Sequence, residues 1–272
     1  MIGPASGDSL HVMSFNLRYA STRKPNSWTQ RRPVMAELLR REQPTVLGTQ
    51  EGLYAQLKDI QRDLPDNYDW LGVGRGGGSR DEFTAIHYDT HRLEPLEFDH
   101  IWLSDTPDVI GSRTWGNDVI RMATWVWFAD LRTGKEFVAV NTHFDHLSEH
   151  ARRRSALLIR DRVNAFGPDL PVVLTGDFNT PAGNSVTYET LVAGLKDTWV
   201  TATEQRSPQY ATYHGYQPPV MNGDRIDWIL TRGATVQAVG VNTFKKNGQF
   251  PSDHLPVQAL ITFTSPSTAR PQ

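Results

Sequence analysis

The chain has 272 residues, a formal net charge of −2 and no cysteine, so disulfides and thiolate metal sites are excluded. A hydrophobic content of 38% and a charged content of 21% are typical of globular proteins, and the length is sufficient for a large core. The near-neutral charge balance argues against a protein that coats nucleic acid through bulk charge, but it leaves a local basic groove open.

The sequence shows neither a signal peptide nor an apolar run near the roughly 18 residues of a membrane span. We therefore expect a cytoplasmic protein without a membrane span, and a mature secreted form whose signal had been removed would look the same. There is no internal repeat, linker or composition break. We expect a single domain over residues 1–264 and a disordered tail over residues 265–272.

Hydrophobic periodicity predicts a chain of many strands and a few helices. Apolar or alternating runs predict strands at 10–17, 45–49, 83–88, 122–128, 137–143, 171–175, 225–230 and 257–263. Patterns with helical spacing predict helices at 31–41, 52–63, 148–165 and 185–193. The helix at 148–165 is rich in arginine, and we interpret it as a solvated face with acidic partners. The glycine-rich segment 72–78 lacks the Lys-Ser/Thr of a P-loop, so we interpret it as a flexible surface loop.

The stretch PVVLTGDFNT at residues 171–180 carries the clearest functional signal. Its β-branched run predicts a buried strand, and Gly176 interrupts the run. If the backbone stays extended, Asp177 and Asn179 project to the same side. The carboxylate could hold a cation or orient water, and the carboxamide could donate to an oxyanion. A polar turn that closes the strand is the structural alternative, and this stretch alone does not decide between them.

Polar residues recur at the ends of predicted strands elsewhere in the chain. The five clusters are Asn16, Gln50-Glu51, Asn141-Thr142-His143, Asp177-Phe178-Asn179 and Ser252-Asp253-His254. Asp227 is predicted to lie within an apolar strand, where a carboxylate is costly unless it has a partner. So many polar clusters at one kind of position predict a common site at one edge of the fold.

A zinc site is an alternative interpretation of one of these clusters. Asp145, His146 and His150 follow His143 closely, and histidines and aspartates are zinc ligands. However, the histidines follow a strand end, and the H-E-x-x-H pattern of a zinc-binding helix is absent from the sequence. We therefore favour a hard cation held by oxygen ligands.

Six motifs together resemble the endonuclease/exonuclease/phosphatase superfamily of DNase I-like, metal-dependent phosphoesterases. They are MSFNLR, GTQE, NTHFDH, LTGDFN, RIDWI and PSDHLPV, in the family's order and across nearly the whole chain. Each motif is weak alone, and the ordered set is specific. The resemblance implies a four-layer α/β/β/α sandwich with the active site at one edge of two packed sheets.

The resemblance also implies a role for each acidic and amide residue at the site. Glu51 would be the principal ligand of Mg²⁺ or Mn²⁺, with Asn16 beside it. Asp253 would be a further ligand or a carboxylate near the metal. Asp177 would orient or deprotonate the attacking water, and Asn179 would hold a phosphate oxygen.

The histidines and the arginine would face the phosphate. The resemblance implies that His254 faces the scissile phosphate and that Asp227 keeps it cationic. His143 would be a second phosphate-facing histidine, with Glu82 as its expected carboxylate partner. Arg121 resembles a phosphate-contacting arginine of the family. Asp145 and His146 extend the histidine motif; we assign Asp145 a supporting place and give His146 no role.

The function that follows is hydrolysis of a phosphoester by in-line attack of water. The charge balance and the lack of a recognisable DNA-binding insertion favour a small-molecule, sugar or lipid-headgroup phosphate. Trp115, in the irregular segment 104–118, and the loop at 205–220 are candidate specificity elements. No protein partner is indicated.

Three other functions remain as alternatives. A nuclease that cleaves DNA or RNA is the first, and a salt-sensitive rate on DNA would support it. A non-catalytic binding protein on the same fold is the second, although the full set of carboxylates and histidines argues against it. A glycosidase built on paired carboxylates is the third, and metal-independent sugar release would reveal it.

Overall fold

The computed structural model describes residues 1–264, and the predicted tail at 265–272 lies outside this range. The helices are α1 (Trp28–Glu42), α2 (Tyr54–Asp63), α3 (Glu149–Ala165), α4 (Val186–Val192) and the single turn α5 (Thr198–Thr201). The four predicted helices are present, with ends shifted by at most three residues, and α5 was not predicted. Within residues 1–264, every helix is too short or too polar to cross a bilayer.

The strands form two sheets. They are β1 (Leu10–Asn16), β2 (Val46–Leu53), β3 (Tyr68–Leu71), β4 (Glu82–Asp89), β5 (Leu93–Trp102), β6 (Met122–Asp130), β7 (Glu136–His143), β8 (Val172–Asp177), β9 (Lys196–Asp197), β10 (Glu204–Gln205), β11 (Asp227–Arg232), β12 (Ala234–Val241) and β13 (Val257–Phe263). The first sheet has seven strands in the order β10-β12-β13-β1-β2-β4-β3. The second has six strands in the order β5-β6-β7-β8-β11-β9.

Three apolar clusters divide the molecule into four layers. One cluster lies between the facing sheets and includes Val12, Val173 and Phe128. A second packs α3 and α4 on the outer face of the second sheet, and a third packs α1 and α2 on the first sheet. The order helices, sheet, sheet, helices is the four-layer α/β/β/α sandwich that the sequence predicted.

Parallel strand pairs at the centre of each sheet bring the polar strand ends to one edge. β1 runs parallel to β2, and Asn16 lies beside Gln50. β7 runs parallel to β8, and His143 lies beside Asp177. Because parallel neighbours end at the same edge of a sheet, the predicted polar clusters converge there.

A polar connection between the sheets lies beneath this edge. The Asn141 side chain donates to the carbonyl oxygens of Thr49 and Ala85 in the first sheet, at 2.8 and 3.0 Å. Its own oxygen accepts from Gln50 at 2.7 Å and from Thr175 at 3.0 Å. Both side-chain atoms of Asn141 are thereby hydrogen-bonded, and buried hydrogen bonds of this kind favour one arrangement of the elements that they connect. Asn141 and Gln50 therefore hold the two sheets in register under the site.

Two long strands escaped prediction. The middle of β5 is largely exposed and charged, so it lacks the apolar signal of a buried strand. In β12 the pairing register shifts between Val236 and Ala238, and this irregularity breaks the alternation of the sequence. Asp227 also differs from expectation, because it is the first residue of β11 instead of an interior one.

His87 in β4 predicts an acid-sensitive fold. Its side chain is buried, neither ring nitrogen has a hydrogen-bond partner among residues 1–264, and burial lowers its pKa to about 3. An unfolded histidine has a pKa of about 6.5. Protons therefore favour the unfolded chain below that value, and His87 should cost about 2 kcal/mol of stability at pH 5.

Between pH 7.5 and pH 5, we expect the free energy of unfolding to fall by about 2 kcal/mol less in His87→Leu than in the wild type. Urea unfolding at both pH values measures the difference. The exposed His91, as His91→Gln, is the matched control and should keep the wild-type pH dependence. An unchanged pH dependence in His87→Leu would contradict the assignment.

Candidate active site

A cavity of about 320 Å³ opens where the two sheet edges meet, and we call it the active-site cavity. Eight of the residues predicted for the site line it: Glu51, Glu82, Arg121, His143, Asp177, Asn179, Asp253 and His254. Asn16 and Asp227 lie directly behind this lining and bond to it. Residues from distant parts of the chain therefore converge at the predicted edge.

Asn16, the last residue of β1, joins the two halves of the site. Its buried amide nitrogen donates to Glu51 at 3.0 Å and to Asp177 at 2.9 Å. Its side-chain oxygen accepts the backbone N–H of Arg18 at 2.9 Å. One amide therefore separates the carboxylates of the first and second sheets, and it reduces their mutual repulsion by donating to both.

Glu51 owes its position to an irregular backbone. The pairing of β2 with β4 shifts register between Thr49 and Gly52, and Glu51 adopts a φ of 62°. Bulges of this kind turn a side chain away from the alternation of the strand. Burial alone would raise the pKa of Glu51, but the charge of His254 and the Asn16 hydrogen bond outweigh it and hold the pKa below its usual value. Glu51 therefore presents an ionised carboxylate to the cavity.

Asp177 ends β8 at the centre of the site. One carboxylate oxygen accepts the backbone N–H of Asn179 at 3.0 Å. The other lies 3.4 Å from His143 Nε2 and 3.8 Å from His254 Nε2. Burial and the nearby charge of Asp227 raise the pKa of Asp177 to about 7. It can therefore exchange a proton near neutral pH.

His254 and Asp227 form the predicted pair. His254 Nδ1 lies 2.9 Å from the Asp227 carboxylate, and both side chains are buried. Burial alone would lower the pKa of His254, but the charges of Asp227 and Asp177 raise it to about 10. The Thr212 hydroxyl accepts the backbone N–H of Asp227 and fixes the start of β11. Nε2 of a cationic His254 therefore faces the cavity.

His143 has the opposite electrostatic character. Burial, followed by the charges of Arg121 and His254, lowers its pKa well below the usual value. The pairing of His143 with Glu82 stays a prediction: Glu82 accepts a hydrogen bond from Arg75 at 2.7 Å, and Asp177 lies 3.4 Å from His143 Nε2. The site thus contains one neutral and one cationic histidine.

Asn179 lines the active-site cavity, whereas Asp145 does not. The side-chain nitrogen of Asn179 donates to the Phe144 carbonyl at 3.0 Å, which holds the residue at a φ of 50° on the cavity wall. Asp145 accepts the backbone N–H groups of Leu147 and Ser148 ahead of α3 and does not line the cavity. Asp145 therefore shapes the turn that carries His146.

Seven residues of the cavity were not predicted as site residues; two of them, Val119 and Ile226, are apolar, and the other five carry polar groups. Arg18, Tyr19, Arg75, His146 and Tyr213 all line it. Arg18 is the last residue of the MSFNLR motif that contains Asn16, so its position was a signal that the sequence offered. Arg75 lies in the glycine-rich segment 72–78, which we interpreted as a surface loop and which in fact supplies a cation to the site. The other three come from irregular segments, where sequence patterns say little about direction.

The donor set fits a hard divalent cation. Glu51 and Asp253 offer carboxylate oxygens beside Asn16, and Arg18 lies 3.8 Å from Glu51 and 3.6 Å from Asp253, so a cationic group already occupies the space between them. Oxygen ligands of this kind suit Mg²⁺ or Mn²⁺.

A second arrangement of donor atoms is formed by Asp177, Asp227 and His254, whose atoms lie within 4.8 Å of one another. The 2.9 Å contact between His254 and Asp227 is a hydrogen-bond distance, so a metal there would have to displace its proton. Glu51 and its neighbours are therefore the better candidate.

The chain belongs to the Endonuclease/Exonuclease/phosphatase family, whose model matches residues 13–254. Members of this family hydrolyse phosphoesters. The mannosyl-6-phosphatase Bt3783 of Bacteroides thetaiotaomicron VPI-5482 is 33% identical, with a TM-score of 0.86 over 93% of this chain and 100% of that one. An endonuclease/exonuclease/phosphatase family protein from Bacteroides thetaiotaomicron is 34% identical, with a TM-score of 0.88 over 93% of this chain and 98% of that one.

The matches to curated proteins are partial. An uncharacterized protein, L388, of Acanthamoeba polyphaga mimivirus is 32% identical over 162 residues, which is 56% of this chain and 59% of that protein. The chain spans 44% of the length of a second curated relative. These matches cover less than two thirds of either relative, so the substrate is argued from the site.

Asn16 should control both stability and the pairing of the carboxylates. Replacing it with alanine leaves Glu51 and Asp177 without a shared donor, so we expect Asn16→Ala to lose about 1–3 kcal/mol of stability. Urea unfolding at pH 7 measures the loss. Asn184→Ala, at an exposed position, is the matched control and should be close to neutral. A neutral Asn16→Ala would show that water replaces the bridge at no cost.

Proposed function

We propose that this protein is a divalent-metal-dependent hydrolase of small phosphoesters, with a sugar phosphate as the best-supported substrate. The observation that carries the proposal is the arrangement around Asp177. Asn16, His143 and His254 surround its carboxylate, at 2.9, 3.4 and 3.8 Å, in a cavity that Arg18, Arg75 and Arg121 also line. A buried carboxylate among cationic groups suits water activation next to a phosphate.

The cavity supports a small substrate. Its volume of about 320 Å³ is at the lower end of the range for small-molecule pockets. The net charge of −2 supplies no bulk attraction for a nucleic-acid backbone. The likeness to a mannosyl-6-phosphatase over the full length of that protein adds support for a sugar phosphate.

Different residues of the site have different roles in the reaction. Asp177 positions water and accepts its proton while the water oxygen bonds to phosphorus. Arg121, Asn179 and the cationic His254 hold the phosphate oxygens, and Asp227 keeps His254 oriented. The bond between phosphorus and the sugar oxygen breaks, and that oxygen takes up a proton from solvent to leave as an alcohol.

Glu51, Asn16 and Asp253 would hold Mg²⁺ or Mn²⁺, which when bound neutralises phosphate oxygens and stabilises the leaving oxygen. The Arg18 guanidinium would then either move away from Glu51 and Asp253 or stay and add its positive charge to that of the ion. Both carboxylates are on the cavity wall, so a cation there would face the same phosphate as Asp177.

A substrate panel tests the function. We expect EDTA-sensitive hydrolysis of mannose 6-phosphate in Mg²⁺ or Mn²⁺ that exceeds hydrolysis of bis-p-nitrophenyl phosphate, a phosphocholine lipid, and single- or double-stranded DNA. Asp177→Asn and His254→Ala should each lose about 10²–10⁴-fold in kcat/KM. Asp108→Asn and His150→Ala replace exposed residues of the same types and should retain activity.

Other outcomes on the panel would redirect the proposal. Faster cleavage of DNA, with a rate that falls steeply with salt, would indicate a nuclease. Full activity in EDTA would contradict the metal role. Activity retained in both Asp177→Asn and His254→Ala would show that the catalytic groups lie elsewhere.

A measurement of metal affinity tests the proposed role of Glu51 as a metal ligand independently of catalysis. Calorimetric titration with Mn²⁺ should show binding to the wild type and a loss of roughly 10–100-fold in affinity in Glu51→Gln, because the amide removes the ionised ligand. Glu149→Gln, at an exposed position of α3, is the control for the loss of one charge. Equal affinity in Glu51→Gln and the wild type would place the metal at another group, with Asp177, Asp227 and His254 as the next candidates.

A further inference from the structure

A second cationic groove adjoins the active-site cavity. Its volume is about 270 Å³, and its wall is formed by the segment 18–26 after β1 together with Tyr216. Arg18 lines both this groove and the active-site cavity, so the two spaces are neighbours. We call it the loop groove.

All the charged residues that line the loop groove are cationic. Arg18, Arg23 and Lys24 line it, and its lining contains no aspartate or glutamate. Arg23 and Lys24 are exposed, and neither forms an ion pair with another of residues 1–264, whereas Arg18 faces Glu51 and Asp253. Unpaired cations on one wall favour an anionic ligand.

Tyr216 contributes an unsatisfied polar group to the same wall. Its hydroxyl oxygen is buried and has no hydrogen-bond partner among residues 1–264. The residue adopts a φ of 65°, a conformation that is unfavourable for a bulky side chain. Unsatisfied buried donors and strained residues both occur frequently at ligand sites.

The groove is held in shape by a buried arginine. Arg31 of α1 is fully buried, and its guanidinium donates to five backbone carbonyl oxygens. The acceptors are Leu17, Arg18, Tyr19, Asn26 and Pro251, at 2.7–3.1 Å. Both ends of the segment 18–26 are thereby fixed against the segment that precedes Asp253. A preformed wall lowers the entropic cost of binding a ligand.

We propose that the loop groove binds a second anionic group, a phosphate or a carboxylate, of the same small substrate whose phosphoester is hydrolysed in the active-site cavity. The inference rests on the proposed function and deepens it, because a substrate with a second anionic group should bind more tightly than one, such as mannose 6-phosphate, that has a single anionic group. Arg23 and Lys24 would contact the second group, and Arg18 would lie between the two anions.

Matched sugar phosphates test the inference. Glucose 6-phosphate carries one anionic group, glucose 1,6-bisphosphate adds a phosphate and 6-phosphogluconate adds a carboxylate. We expect the wild type to show a KM about 10-fold lower for at least one of the two compounds with a second anionic group than for glucose 6-phosphate, because charge-assisted hydrogen bonds form to the added group. A larger decrease in KM for glucose 1,6-bisphosphate would indicate a phosphate site, and a larger decrease for 6-phosphogluconate would indicate a carboxylate site.

The double variant Arg23→Ser/Lys24→Ser should abolish the preference and bring the KM values within about 2-fold of one another. Arg132→Ser/Lys196→Ser removes two exposed cations outside both spaces and should keep the wild-type ratio. Equal KM values in the wild type, or an undiminished preference in Arg23→Ser/Lys24→Ser, would overturn the inference.

Binding without turnover separates this inference from the proposed function. In Asp177→Asn protein with Mg²⁺, calorimetry should give a dissociation constant for glucose 1,6-bisphosphate or 6-phosphogluconate that rises about 10-fold when Arg23→Ser/Lys24→Ser is added. If the wild type hydrolyses none of the sugars but this difference persists, the proposed function fails and the anion site stands. If hydrolysis is found but no difference in either KM or binding, the anion site fails and the proposed function stands.

Discussion

The whole site depends on one shared hydrogen-bond donor. The amide nitrogen of Asn16 lies between Glu51 of the first sheet and Asp177 of the second. Two carboxylates at such close range repel each other unless a donor or a cation lies between them. Because Asn16 ends a buried strand, the packing of the sandwich fixes the position of this donor, and the donor in turn fixes the distance between the carboxylates.

Neighbouring charges give the two buried histidines different charge states. Burial lowers the pKa of both, and the cations Arg121 and His254 lower that of His143 further, whereas the charges of Asp227 and Asp177 raise that of His254. The largest raising influence on His254 is Asp227, whose carboxylate lies 2.9 Å from its Nδ1. A single phosphate in the cavity would therefore meet one cationic and one neutral imidazole, which is an asymmetric environment suited to directional attack.

The resemblance carried by the six ordered motifs implied the sandwich, and the polar ends of apolar runs together with those motifs predicted eight residues of the cavity wall. Asn16, Glu51, Asp177 and His254 each end or follow an apolar run, and packed strands bring such ends to one edge. Prediction failed where position depends on backbone irregularity or on contacts between distant segments. Arg75 is one example, since its direction toward Glu82 is set by how the loop at 72–78 folds and not by the composition of the loop.

The left-handed backbone conformation of Glu51 is shared by other residues that line the two spaces. Arg18, Asn179 and Tyr216 also have positive φ values, between 50° and 65°, and all four residues line the active-site cavity or the loop groove. Each such residue costs roughly 1 kcal/mol or more, which the surrounding fold must offset. Glycine would relieve the backbone at these four positions, as it would at Gln43, Asp81, Asn222 and Asn247, which also have positive φ values but line neither space. A laboratory selection for heat resistance that reached the four positions at the site would gain melting temperature at the cost of activity, whereas the other four positions carry no such conflict.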